Sequence, residues 1–147
     1  MATQITKTVQ DVNNTAAMLK QCGVNPTTQR LEIAKILLAR PQHLSAEQVL
    51  SALRLQNTCV SKATVYNTLN LFAEKGLVRR MVIDPDRVFY DSNTRSHYNI
   101  YNEDTGELQD LDANLLALQG LPELPENTYQ CSVDVIIHVR NQQGQKL

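Results

Sequence analysis

The chain has 147 residues, 42% of them hydrophobic, and a formal net charge of −1. That length admits one domain or two small ones, the apolar share supports a core, and no apolar run reaches the roughly 18 residues of a membrane span. The three cysteines, Cys22, Cys59 and Cys131, are widely separated and form no CxxC pair, which argues against a disulfide framework or a cysteine zinc site; with no signal-peptide pattern at the N-terminus, the expectation is a reduced, cytoplasmic protein.

The small net charge hides an asymmetry. Residues 1–88 carry 11 Lys/Arg against 6 Asp/Glu, a balance of +5, whereas residues 89–147 carry 3 against 9, a balance of −6. A basic front half suits a polyanionic partner, and the acidic half behind it suits another task.

In chain order, Asp11 to Cys22 has helical spacing (Val12, Ala16, Leu19) and stops at Gly23. Asn25-Pro26-Thr27-Thr28 caps a second helix, Gln29 to Ala39, which Pro41 ends. Ser45 and Gln48 form a capping box for a third helix, about Ala46 to Leu53. A fourth helix starts at Ser61 and stops at Gly76, with Val65, Leu69, Phe72 and Leu77 near the spacing of one buried face. Its other side shows Lys62, Thr64, Tyr66, Asn67 and Asn70, side chains suited to phosphates and base edges in a major groove, although an ordinary solvated helix face would read the same way. Leu77 to Val82 then reads as a basic strand, so that helix, glycine turn and hairpin form the pattern of a winged helix-turn-helix. Asp84-Pro85-Asp86 is a turn, and Arg87 to Asp91 is strand-like.

The composition shifts here. We expect a winged-helix domain over 1–83, a hinge over 84–91 and a small α/β dimerisation domain over 92–147, an α+β protein in all. In the second domain His97 to Asn102 and Glu107 to Leu111 read as strands around a turn at residues 103–106, Ala113 to Gln119 as a short helix, and Ser132 to Arg140 as a central strand. About 55 residues is small for independent stability, so pairing with a second copy is expected.

The histidines are few. His43 lies in the loop before the third helix, His138 on an apolar strand as a packed or edge residue, and His97 six residues after Asp91. On a strand, His97 and Asn99 share a face, and Asp110 follows on the next strand. Imidazole with carboxylates suits Fe²⁺, Mn²⁺ or Zn²⁺.

The blocks PTTQRLEIAKIL, HLSAEQVL, VSKATVYNTLNLFAEKGLVRR and VFYDSNTRSHYNIYNEDTGELQDL, in that order and spacing, closely resemble the ferric uptake regulator superfamily over roughly residues 16–140. The resemblance implies a winged helix, a dimerisation domain and a metal-dependent bacterial transcription regulator. It implies DNA contacts by Lys20 (minor groove), Arg30 (phosphate), Ser61, Thr64 and Tyr66 (thymine methyls). Asn67 matches peroxide-sensing members, and Lys62 joins this set as the cation on the same face. It further implies a regulatory metal site between the two domains at His43, Asp91, His97 and Asp110, filled by Fe²⁺ or Mn²⁺ with Zn²⁺ as a substitute, and opens oxidation of His43 or His97 as a route for peroxide.

The sequence departs from the family at two places. The fifth ligand position, a histidine in the family, is Asn99, a weaker ligand. The family's two CxxC pairs would fall at Asn102…Thr105 and after Arg140, and neither exists, so no structural zinc is expected. That loss resembles the haem-linked iron-response regulators, but no haem motif surrounds the cysteines. The expectation is therefore a homodimeric, metal-dependent regulator of iron, metal or peroxide-stress genes on an A/T-rich palindrome. One rival is a DNA-binding dimer with a degenerate metal site, switched by haem or a protein partner. A second, a small metalloenzyme, lacks any nearby base, nucleophile or pocket signal.

Overall fold

A computed structural model describes residues 14–143. The chain divides into two compact units, residues 1–94 and 95–147. Asp11 and Val12, expected to open the first helix, lie outside the described residues.

In the first unit, helix α1 covers 14–21, α2 Thr28–Leu37, α3 Ala46–Leu55 and α4 Lys62–Glu74. Side-chain caps set their starts. The Thr27 hydroxyl accepts from Arg30 N–H, and Ser45 with Gln48 completes the expected capping box. The Ser61 hydroxyl accepts from Thr64 N–H at the head of α4. At its tail, Gly76 turns into the left-handed region (φ +78°), letting Leu77 N–H reach Phe72 C=O and Gly76 N–H reach Ala73 C=O. Asn57 does the same for α3 at φ +56°, a stop the sequence reading missed.

These helices enclose one core, with Leu19, Ile33, Leu37, Val49, Leu53, Val65, Leu69 and Phe72 fully buried. Each such side chain contributes about 1.5–3 kcal/mol by leaving water. Beyond α4, strands β2 (Arg79–Asp84) and β3 (Arg87–Asp91) form the antiparallel wing, with β1 (His43–Leu44) on the other side of β3. Two expectations change here. The span expected as a hinge, 84–91, holds the end of β2, the turn and β3 of the wing, and the chain divides after Thr94. His43 lies on a strand and not in a loop. The Gln42 amide holds it there, donating to the C-terminal carbonyls of α2 at Ile36 (2.7 Å) and Leu37 (3.1 Å), while Gln42 N–H donates to Ser92 Oγ.

In the second unit, β4 (His97–Asn102) pairs antiparallel with β5 (Leu108–Asp112) and parallel with β6 (Ile136–Val139), so β4 is central. The strand expected to be central, Ser132 to Arg140, is shorter and lies at the sheet edge, with Ile137 and Val139 exposed. The helix expected over Ala113 to Gln119 is only a 3-10 turn, Ala113–Leu115, capped by Asp112. Gly120, Pro122 and Pro125 follow closely, and one turn too short to propagate does not repay its nucleation. A polar cluster ties the end of β6 to the β4–β5 turn. Arg140 Nε donates to Glu103 Oε2 at 2.7 Å, His138 Nδ1 lies 3.3 Å from Glu103 Oε1, and Asn102 Nδ2 donates to Asn141 Oδ1 at 2.9 Å. Among the described residues no helix is long and apolar enough to cross a membrane.

Candidate nucleic-acid interface and metal centre

Helix α4 buries Val65, Thr68, Leu69 and Phe72 and leaves Ser61, Lys62, Tyr66 and Asn67 exposed, with Thr64 half-buried. The 3.6-residue period alone separates the two sets. At the head of the helix Ser61 Oγ donates to Thr64 Oγ1 (2.8 Å), which orients both hydroxyls. The Lys62 ammonium lies 5.9 Å from the centre of the Tyr66 ring and 2.7 Å from the Glu47 carboxylate of α3. Beside this face Thr27, Gln29 and Arg30 of the α2 start meet Thr64, Asn67 and Thr68 around a cleft of about 250 Å³. Arg30 is steadied there by Nη1 donating to Asn25 C=O at 3.0 Å. The structure thus gathers Arg30, Thr64 and Asn67 around one cleft and adds Thr27 and Gln29, which the sequence reading had used only as a cap and a helix start. Lys20 is exposed on α1 but does not line the cleft. A first helical turn carrying Thr, Gln and Arg was the signal that could have found the extra pair, because its free N–H groups favour anions.

The metal residues fall into two pairs, one in each unit. In the first, His43 stands opposite Asp91 in the β1–β3 register, the His43 ring packs edge-on against Phe89 at 6.2 Å, and Asp91 Oδ1 accepts from Asn93 N–H. In the second, His97 Nδ1 lies 2.6 Å from Arg95 C=O, and Nε2 lies 3.6 Å from Asp110 Oδ1. A neutral ring with its proton on Nδ1 donates to that carbonyl and turns the lone pair of Nε2 towards a carboxylate. This is the orientation of a metal-ligating histidine, its other nitrogen held by a backbone oxygen. The donor set, imidazole nitrogen and carboxylate oxygen, fits Fe²⁺, Mn²⁺ or Zn²⁺. Asn99, at the fifth position, donates from Nδ2 to Asp110 Oδ1 at 3.2 Å, so the amide steadies the carboxylate. Cys22, Cys59 and Cys131 are free.

The sequence also matches the family model described as "Ferric uptake regulator family" over residues 21–130, three quarters of the chain. This chain belongs to the ferric uptake regulator family. It is 31% identical over 110 residues to the peroxide-responsive repressor PerR of Staphylococcus aureus, which covers 75% of this chain and 74% of that one. Among solved structures it is similar to the ferric uptake regulator of Pseudomonas aeruginosa with manganese, at a TM-score of 0.68 and 25% identity over 88% of this chain and 98% of that one. It is also similar to the ferric uptake regulator of Francisella tularensis with iron, at a TM-score of 0.67 and 26% identity over 82% and 93%. Ferric uptake regulators are DNA-binding transcription regulators and not enzymes, which removes the metalloenzyme rival.

Proposed function

We propose that this chain is a homodimeric, metal-dependent repressor, acting in the cytoplasm, that reads an A/T-rich palindromic operator with α4 of each copy. The observation that carries the reading is the division of α4. Its apolar side is committed to the core, and its free side offers Lys62, Tyr66 and Asn67 beside the Arg30 cleft. Tyr66 would meet thymine methyls, Asn67 a base edge, and Arg30, Thr64, Ser61 and Lys20 the phosphates and minor groove. The exposed apolar residues of β6 support a second copy as partner.

The residues that would hold the metal are His43, Asp91, His97 and Asp110. Bound there, Fe²⁺ or Mn²⁺ would supply a charge that offsets these carboxylates and would shift the protein towards its DNA-binding conformation. Such a shift is only as large as the difference in metal affinity between conformations. The manganese- and iron-bound relatives support these ions. The named peroxide-responsive relative supports stress genes among the targets, beside iron or metal homeostasis.

The test is duplex binding by metal-stripped protein, with and without Mn²⁺ or Fe²⁺ under anaerobic conditions, using duplexes enriched from a random pool. Tighter binding with metal, lost in His97→Ala, is the expected result. Tight binding indifferent to metal would overturn the switch. It would favour the second reading, a DNA-binding dimer with a degenerate metal site under haem or partner control, to which Asn99 in place of histidine points. No duplex binding under any condition would overturn both.

A further inference from the structure

Lys62 occupies the first residue of α4, where the positive end of the helix dipole disfavours a cation, and no acidic residue lies in that helix's own first turn. The compensating charge comes from another helix. Glu47 sits in the first turn of α3, a position that favours a carboxylate on its own account, and reaches Lys62 Nζ at 2.7 Å. On its other side the ammonium lies near the Tyr66 ring. Carboxylate, ammonium and aromatic ring therefore form one chain of contacts on the face assigned to DNA. The Glu47 hydrogen bond holds the Lys62 ammonium above the usual lysine range, so it is charged but already matched with an anion.

We propose that Glu47 is a positioning residue that sets specificity: its carboxylate takes the place of a DNA phosphate on Lys62, so that nonspecific duplex gains little from this cation. The inference rests on the DNA-reading role of α4. Nonspecific binding comes almost wholly from cations meeting phosphates, and its strength follows the number of counterions released. A cation already paired releases none unless the phosphate first displaces the carboxylate. A fitted operator brings Tyr66 and Asn67 into contact as well and needs Lys62 less. Discrimination then comes from a penalty on the wrong partner, not from added contacts with the right one.

The experiment compares wild type with Glu47→Gln on two probes, a random-sequence duplex and a duplex enriched by the wild-type protein, across a salt series with Mn²⁺ present. Glu47→Gln should tighten random-duplex binding about three- to tenfold and steepen its log–log salt slope by about one unit, the signature of one more phosphate contact. The enriched duplex should change less, so the specificity ratio falls. Adding Lys62→Met should restore the wild-type slope. A merely structural role for Glu47 would lower the unfolding midpoint and weaken both probes together, and that result overturns the proposal, as does an unchanged slope. If Glu47→Gln does not fold, Glu47→Ala takes its place on the same two probes, with the same steepened random-duplex slope expected and an unchanged slope overturning the proposal. Wild-type protein that binds neither probe would overturn the DNA reading itself, an outcome separate from all of these.

Discussion

Nε2 of His97 lies 3.6 Å from Oδ1 of Asp110, and that same oxygen accepts a hydrogen bond from the Asn99 amide at 3.2 Å. With the ring neutral and its proton on Nδ1, the Nε2 lone pair faces that carboxylate, with Asn99 as polar neighbour. A cation relieves such a facing, and the Asn99 amide aims the Asp110 carboxylate. Replacing Asn99 with histidine puts a second imidazole on the same face of β4, where it can bind metal directly. Asn99→His should tighten Mn²⁺ binding about tenfold or more, whereas Asn99→Ala, which removes that hydrogen bond to Asp110, should weaken it about tenfold. Competition against a fluorescent chelator measures both. Equal affinities in the two variants would show that Asn99 has no part in the site.

Tyr90 connects the wing to α4. It is 2% exposed, and its hydroxyl donates to Asn70 Oδ1 at 2.7 Å from β3 to α4. Tyr90→Phe keeps the ring and removes that bond, so it should cost about 0.5–1.5 kcal/mol of stability. Urea unfolding at constant slope reads the loss. An unchanged midpoint would mean that the bond contributes nothing net.

The Glu103 carboxyl is held below its ordinary range, chiefly by the hydrogen bond from Arg140. A carboxyl lowered in the folded state contributes stability above its unfolded pKa, and that contribution fades as pH falls through the folded value. Glu103→Gln should therefore lower the melting temperature at neutral pH, with the gap to wild type closing in acid. Melting curves across a pH series test this. A gap that stays constant from neutral pH into acid would rule out the charge as its origin.

Much of the first unit was legible because its signals are local. The capping box at Ser45 and Gln48, the Ser61 cap and the Gly76 stop each rest on contacts within a few residues, and the period of Val65, Leu69 and Phe72 states which side of α4 is buried. Signals that depend on partners far along the chain failed. The β1 strand is two residues long and exists only because Asp91 and Tyr90, nearly fifty positions later, pair with it. The hinge expected over 84–91 was placed by a change in composition, yet Arg87 to Asp91 completes the wing because β2 offers it a full ladder.

What the sequence by itself determined is the family, the capped starts of α3 and α4 and the residue types of the candidate reading face and candidate metal ligands, since block order, caps and periodicity are written in neighbouring residues. Only the tertiary structure decided which nitrogen of His97 faces Asp110, that Asn99 offers its amide nitrogen to that carboxylate, and that Glu47 reaches Lys62 from another helix. Those relations depend on strand register and helix packing, where a shift of one residue turns a side chain to the opposite face, and no local pattern records them.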